Sequence, residues 1–167
     1  MRALNRTVTL AKQLPERERV ALIEELESAL QPATSPEQRT PMLTWTQVRR
    51  MQGEGIRFGS HTVSHAILSR VDSARAAREL YESKAELEEQ LGVPASCFAY
   101  PNGRTADFTP EVVELVKRAG YTCAVTTERG YNTALQNPLL LRREQPWQTE
   151  PESFRMHLFL QHRGWTR

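Results

Sequence analysis

Two histidines four residues apart, His61 and His65 in the string HTVSH, are the residues of this sequence best suited to chemistry. Within one helical turn or a tight loop, this spacing brings two imidazole nitrogens to one metal ion, and neutral imidazole is a common zinc ligand. The same spacing also arises by chance, in which case one histidine caps an element and the other is exposed. The pair therefore indicates a metal site only if a second element adds polar groups to it.

Two predicted strands supply that context. Residues 56–60 alternate between apolar and polar side chains, which predicts a strand that ends at His61. Residues 97–100 form a short apolar run, which predicts a buried strand that ends in a Pro-Asn-Gly turn. Because the carboxyl ends of parallel strands meet at one rim, His61, His65 and the backbone N–H groups near Asn102 should surround one cleft. Taken alone, a Pro-Asn-Gly turn is equally typical of a purely structural turn.

Most of the other elements are predicted to be helices, from their capping residues and the spacing of their apolar residues. The first is an N-terminal helical arm from Leu4 to Leu30, in which Leu22, Ile23, Leu26 and Leu30 have helical spacing after Pro15. A short helix follows the capping box of Thr44 and Gln47, and another helix follows Thr109 and Pro110. Between these two, a long helix follows Asp72, and its apolar stripe consists of Ala77, Leu80, Tyr81, Leu87 and Leu91. Further strands are predicted over Tyr121–Thr126 and Leu139–Leu141, a tether over Gln31–Pro41, and either a helix or a strand over Thr149–Gln161. This alternation of short apolar strands with helices indicates an α/β fold with parallel strands.

The composition argues against several classes of function. A chain of 167 residues predicts one domain, and 22 Lys plus Arg against 20 Asp plus Glu lack the basic excess of a nucleic-acid binder. No apolar run is long enough for a membrane span or for the core of a signal peptide, so the chain as written is expected to be cytoplasmic, and an upstream segment would change that expectation. Cys97 and Cys123 form no CxxC pair, and we expect two reduced, buried thiols.

The strings FGSHTVSH and FAYPNG resemble the second and third motifs of the polysaccharide deacetylases with a NodB homology domain, carbohydrate esterase family 4. The resemblance extends from about Met42 to about Asn132 and includes the predicted strand GYTCAVTT. It implies an α/β fold in the form of a partial or distorted (β/α) barrel of the NodB type. This domain would occupy residues 42–167 and would follow a helical arm and Pro-rich tether over residues 1–41.

The resemblance also implies an activity, the metal-dependent hydrolysis that removes acetyl groups from an N-acetylated or O-acetylated polysaccharide. The cofactor would be a divalent metal, usually zinc, and the partner an acetylated polysaccharide or oligosaccharide. The implied roles are metal ligation by His61 and His65, stabilisation of the oxyanion by the backbone N–H of Asn102, substrate binding by Tyr100, Pro101 and Arg104, and general acid catalysis by His162 in the string LQH. Trp45, Trp147 and Trp165 are further candidates for contact with a sugar.

The sequence departs from this family in the first motif, Thr-Phe-Asp-Asp-Gly, which supplies the general base and a third metal ligand. The only two aspartates of the chain, Asp72 and Asp107, both follow His61. We therefore expect the chain to be the C-terminal portion of a longer deacetylase. Two alternatives stay open. One is an inactive remnant of the fold that binds glycan or a partner chain, and the other is a plain α/β interaction domain that associates through its helical arm.

Overall fold

A computed structural model describes residues 2–30, 42–144 and 150–163. The helices are α1 (Arg2–Ala11), α2 (Glu16–Leu30), α3 (Trp45–Gly53), α4 (Ser73–Leu91), α5 (Pro110–Arg118) and α6 (Pro151–His162), and the strands are β1 (Cys97–Ala99) and β2 (Cys123–Val125). The predicted tether over residues 31–41 lies outside the described residues. Among the helices of these three segments, none is both long and apolar enough to cross a membrane.

The sheet is parallel and open. Strands β1 and β2 pair in parallel, with Phe98 opposite Ala124. Isolated parallel bridges add Ser60 beside Phe98 on one side and Leu141 beside Val125 on the other. The predicted α/β fold with parallel strands is therefore confirmed, whereas the described residues form an open sheet and no closed barrel.

Two predicted strands are shorter than the sequence pattern suggests. Within residues 56–60, only Ser60 pairs with the sheet. The segment predicted as a strand over Leu139–Leu141 is a 3-10 turn over Pro138–Leu140, after which Leu141 alone forms a bridge. The prediction was wrong there because Pro138 starts a turn whose cap is the Asn137 side chain, which accepts a hydrogen bond from the backbone of Leu139 at 2.9 Å.

Local capping fixes three of the helices at the predicted places. The capping box of Thr44 and Gln47 is present at the start of α3. Asp72 caps α4 by accepting a hydrogen bond from the backbone of Arg75, and α4 ends at Gly92, whose φ of 66° is left-handed. Thr109 caps α5 in the same way. The C-terminal segment, for which the sequence allowed either a helix or a strand, forms the helix α6. The N-terminal arm consists of two helices, α1 and α2.

The core lies between the sheet and helices α4 and α5. Its largest fully buried side chains include Phe98, Tyr100, Leu80 and Val116. The inward face of α4 differs from the predicted stripe, because Tyr81 is exposed. The buried residues of α4 are Ala76, Glu79, Leu80 and Ser83. Of the two polar residues on this inner face, Ser83 lies 2.6 Å from the Ser60 hydroxyl, and Glu79 contacts the loop that is described below.

The two cysteines are joined in a disulfide. The prediction of two reduced, buried thiols was therefore wrong. Cys97 and Cys123 are paired neighbours in the register of β1 and β2, with Cα atoms 4.9 Å apart, which is within the range that a disulfide requires. Cys97 is exposed and Cys123 is half-buried, so the bond lies at the margin of the core.

Candidate active site

The predicted metal ligands lie on a tight loop, residues 61–65, which we call the histidine loop. The rings of His61 and His65 are in edge-to-face contact, with centroids 4.7 Å apart. His61 Nδ1 lies 2.7 Å from the carbonyl oxygen of Ala99. This contact with β1 fixes the His61 ring and directs its Nε2 away from the strand, which is the usual arrangement of a metal-binding histidine.

A buried glutamate holds the histidine loop in place. One carboxylate oxygen of Glu79 accepts hydrogen bonds from the backbone N–H groups of Val63 and Ser64, both at 2.9 Å. The other accepts from the Ser64 hydroxyl at 2.6 Å and from Arg75 at 3.2 Å. Burial alone would raise the pKa of Glu79, but these hydrogen bonds together hold its pKa below 4.5. Glu79 is therefore an anionic clamp on the loop between the two histidines.

The clamp stabilises an unusual backbone. Thr62 and His65 have φ values of 67° and 58°, in the left-handed region that residues with a Cβ seldom adopt. Such conformations persist only where surrounding contacts impose them. Sequence reasoning missed Glu79, although an acidic residue on the inner face of α4 is a signal that could have identified it.

The third-motif turn, residues 101–104, which we call the Asn102 turn, is fixed by contacts with Thr127. Asn102 has a φ of 57°, and its carbonyl oxygen accepts a hydrogen bond from the Thr127 hydroxyl at 2.6 Å. Gly103 has a φ of 72°, and a Cβ there would lie 2.9 Å from the backbone nitrogen of Thr127, so only glycine fits. Within the part of the chain that the structure describes, the Asn102 N–H has no hydrogen-bond acceptor. It is therefore free to donate to a ligand.

Two residues predicted to bind substrate have buried side chains: Tyr100, which precedes the Asn102 turn, and Pro101, which is its first residue. Tyr100 is 1% exposed, donates its hydroxyl proton to the carbonyl oxygen of Leu139 at 3.0 Å and stacks on Phe108. Burial raises the pKa of the Tyr100 hydroxyl. Pro101 is also fully buried. This burial leaves the two side chains no surface for direct contact with a substrate, so they pack in the core where β1 leads into the Asn102 turn.

The N-terminal arm reaches the site from the far end of the sequence. Lys12, in the turn between α1 and α2, donates a hydrogen bond from Nζ to Asn102 Oδ1 at 2.9 Å. Partial desolvation lowers the pKa of His65 below 6.5, and the neighbouring charges of His61, Lys12 and Arg19 lower it further. Sequence reasoning missed Lys12, because no local pattern relates it to a turn 90 residues away.

Two clefts flank these groups. The His61 cleft, of about 430 Å³, is lined by His61, Thr62 and the half-buried Trp45. The Arg104 cleft, of about 820 Å³, is lined by Asn102, Arg104 and Lys12. His162 is the last residue of α6, but its side chain lies outside what the structure describes, as do Trp147 and Trp165.

The histidine loop satisfies part of the requirement for a metal. His61 is oriented through Nδ1, and the lowered pKa of His65 favours the neutral imidazole that binds metal. A catalytic zinc site normally has three protein ligands. Among the described residues, however, no group of three His, Cys, Asp or Glu side chains could hold a metal ion. The site therefore presents two candidate ligands, His61 and His65.

Comparison with known proteins identifies the family. A family model described as polysaccharide deacetylase matches residues 16–124, which is more than half of the chain. The chain therefore belongs to the polysaccharide deacetylase family. The match begins within the N-terminal arm, so the family resemblance is not confined to the two motifs.

Individual relatives agree with this assignment. The structure of the Streptococcus pyogenes deacetylase PplD, in complex with acetate, aligns with a TM-score of 0.65 at 26% identity over 72% of this chain and 52% of PplD. BC0361, a polysaccharide deacetylase from Bacillus cereus, aligns with a TM-score of 0.55 at 29% identity over 64% of this chain and 33% of its own.

A curated relative covers a similar region. YxkH of Bacillus subtilis (strain 168), named as a candidate polysaccharide deacetylase, is 29% identical over 101 residues, which are 60% of this chain and 35% of YxkH. The chain thus spans about a third to a half of the length of these relatives.

Proposed function

We propose that this chain acts in the hydrolytic removal of acetyl groups from an acetylated polysaccharide, with the histidine loop and the Asn102 turn as its active site. The observation that carries the proposal is the juxtaposition of the two imidazoles of the HTVSH loop, anchored on β1, in a chain of the polysaccharide deacetylase family. The relative PplD, which is described in complex with acetate, supports an acetyl group as the part of the substrate that is recognised.

In this proposal His61 and His65 are ligands of a divalent metal, with zinc the first candidate. A bound metal of this kind polarises a carbonyl group and lowers the pKa of water. Groups of the chain itself would position the metal ligand and the reacting carbonyl group. The Ala99 carbonyl orients His61, and the free N–H of Asn102 would donate to the oxyanion that develops on the acetyl carbonyl.

Further groups would bind the sugar. In the His61 cleft, the Thr62 hydroxyl is buried and has no hydrogen-bond partner among the described residues, so it is available to a ligand. Trp45 in the same cleft offers an apolar face, and Arg104 lines the opposite cleft. His162 is the proposed general acid, on the strength of its LQH string alone.

Metal binding and turnover are tested separately, because the described residues bring together two candidate ligands and no group of three. Zinc binding is measured by calorimetry on the apo protein, and acetate release is measured with N-acetylglucosamine hexamer. We expect His61→Ala and His65→Ala each to weaken zinc binding by about tenfold or more, because loss of one of two ligands removes a large share of the binding free energy. The matched control is His157→Ala, since His157 lies on α6 beside Glu144.

The outcomes separate the candidate functions. Zinc binding that depends on both histidines, together with acetate release that requires zinc, supports the proposal. Zinc binding without acetate release would leave an inactive fold that binds glycan or a partner. If the double variant His61→Ala/His65→Ala binds zinc as tightly as the native protein, the assignment of the metal ligands is wrong.

A further inference from the structure

The Arg104 cleft has more positive charge than the proposed reaction uses. It lies between α1 of the N-terminal arm, the Asn102 turn and the segment that follows β2. Four cationic side chains line it, those of Lys12, Arg70, Arg104 and Arg129, against the two carboxylates of Asp107 and Glu128. The whole chain has a net charge of only +2, so this cleft concentrates positive charge beside the candidate active site.

The two carboxylates are already committed to the backbone of the cleft wall. Asp107 accepts a hydrogen bond from the backbone N–H of Arg104 at 2.9 Å. Glu128 accepts from the backbone N–H and the hydroxyl of Thr105, both at 2.9 Å, and these hydrogen bonds lower the pKa of Glu128. These acidic groups therefore hold the turn in shape.

The arginines of the cleft form no salt bridge among the described residues, and the charge of Arg104 contributes to the lowered pKa of Glu128. Among the described residues, no carboxylate lies within salt-bridge distance of the side chains of Arg70, Arg104 or Arg129. Surface arginines usually remain solvated, but three around one concave site raise the local potential together. A guanidinium group presents a planar fork of N–H donors that matches carboxylate and phosphate oxygens.

The neighbouring His61 cleft has the opposite charge, so the two clefts would favour different ends of a charged ligand. The His61 cleft is lined by Glu82 and Glu86 and by no lysine or arginine of the described residues. A ligand that extends across the histidine loop and the Asn102 turn would therefore meet negative charge at one end and positive charge at the other. An anionic substituent is favoured only at the Arg104 end.

We propose that the Arg104 cleft is a binding subsite for an anionic sugar residue, and hence that the polysaccharide substrate is an acidic glycan. This inference rests on the proposed function for the identity of the ligand as a glycan. Its contacts would be Arg104, Arg129 and Arg70 on the body of the domain and Lys12 on the arm. Lys12 already donates to Asn102, so the subsite adjoins the group proposed to bind the oxyanion.

The test compares a neutral ligand with an anionic derivative of it. Binding of N-acetylglucosamine hexamer and of the same hexamer carrying 6-O-carboxymethyl groups is measured by calorimetry on the full chain at low and high salt. We expect the carboxymethylated hexamer to bind roughly tenfold more tightly at low salt, and the preference to shrink as salt screens the cleft. The neutral hexamer should show little dependence on salt.

Variants test whether the preference for the carboxymethylated hexamer arises in the Arg104 cleft. The double variant Arg104→Gln/Arg129→Gln should abolish most of the preference for the carboxymethylated hexamer. The matched control, Arg78→Gln/Arg118→Gln, makes the same change in net charge on exposed positions of α4 and α5 outside the cleft and should retain the preference. Circular dichroism confirms that each variant is folded, and the salt dependence of the native protein tests the proposal without any variant.

Three results would overturn the subsite: equal affinity for both hexamers, no binding of either at millimolar concentration, or equal loss of preference in the control. Acetate release distinguishes this failure from failure of the proposed function. Equal acetate release from both hexamers, with equal affinity, would support the deacetylase and reject the subsite. Selective binding of the carboxymethylated hexamer without any acetate release would support the subsite and reject the activity.

Discussion

Glu79 is the residue on which the geometry of the candidate site depends most directly. It lies on α4, yet its hydrogen bonds are to Val63 and Ser64, between the two proposed metal ligands. A buried carboxylate that accepts several hydrogen bonds is costly to remove, because the donors that it satisfies are left without partners. Its loss should therefore affect both the stability of the fold and the position of the histidine loop.

We predict that Glu79→Gln lowers the free energy of unfolding by about 1–3 kcal/mol at neutral pH. The pKa of Glu79 in the folded protein is below 4.5, so its contribution is present above that pH and is lost as the pH falls through the folded-state value. The difference in stability between native protein and variant, measured by urea unfolding, should therefore stay nearly constant from pH 7 down to 4.5 and shrink as the pH is lowered below 4.5.

Glu82→Gln, at an exposed position of the same helix, is the control and should leave stability at neutral pH nearly unchanged. A difference between native protein and Glu79→Gln that stays constant as the pH is lowered below 4.5 would show that the charge of Glu79 is not what holds the loop. The zinc affinity of Glu79→Gln is a second measurement. It should fall if Glu79 positions the histidine loop, and it should not change if Glu79 only stabilises the core.

Single residues also show where sequence reasoning succeeds. The caps at Thr44, Asp72 and Thr109 were predicted because each acts on a backbone N–H within three residues of itself. The spacing of His61 and His65 likewise predicted that a tight loop brings them together, and their rings are in contact, whereas metal ligation by them stays a prediction. Glu79 was missed, since its partners belong to another element, and its role follows only from tertiary contacts.

At the scale of elements, the sheet depends on partners that are distant in sequence. The segment over Leu139–Leu141 has strand-like composition, but only Leu141 reaches β2. The pairing of Cys97 with Cys123 likewise follows from the register of β1 and β2. Composition alone favoured free thiols, and no pattern within either strand could have shown that the two cysteines are opposite each other.

The disulfide should contribute substantially to the stability of this small sheet. It closes a loop with a sequence separation of 26 residues. In the chain-entropy model, a loop of this length stabilises the folded state by about 3.5 kcal/mol. We predict that Cys97→Ser/Cys123→Ser lowers the denaturation midpoint accordingly, and that reduction of the native protein has the same effect. Alkylation of two thiols in the unreduced, denatured protein would contradict the disulfide.

At the scale of the whole molecule, the N-terminal arm must be explained by polar contacts as much as by burial. Val8 and Leu10 on α1, and Val20 and Ile23 on α2, remain exposed. An arm that leaves these apolar residues exposed gains little hydrophobic stabilisation from docking. The hydrogen bond from Lys12 to Asn102 is one of the polar contacts that can place the arm over the Asn102 turn.

This reasoning predicts that Lys12→Met loosens the arm and leaves the core intact. Loss of one exposed hydrogen bond, about 0.5–1 kcal/mol, should speed amide exchange in α1 and α2 roughly two- to fivefold, with α4 and α5 unchanged. Removing the Lys12 charge should also raise the pKa of His65, because that charge helps to lower it. Lys117→Met, on α5, is the control and should change neither quantity. Unchanged exchange in the arm together with an unchanged His65 titration would mean that Lys12 does not hold the arm at the site, and the cationic wall of the Arg104 cleft would then consist of its arginines alone.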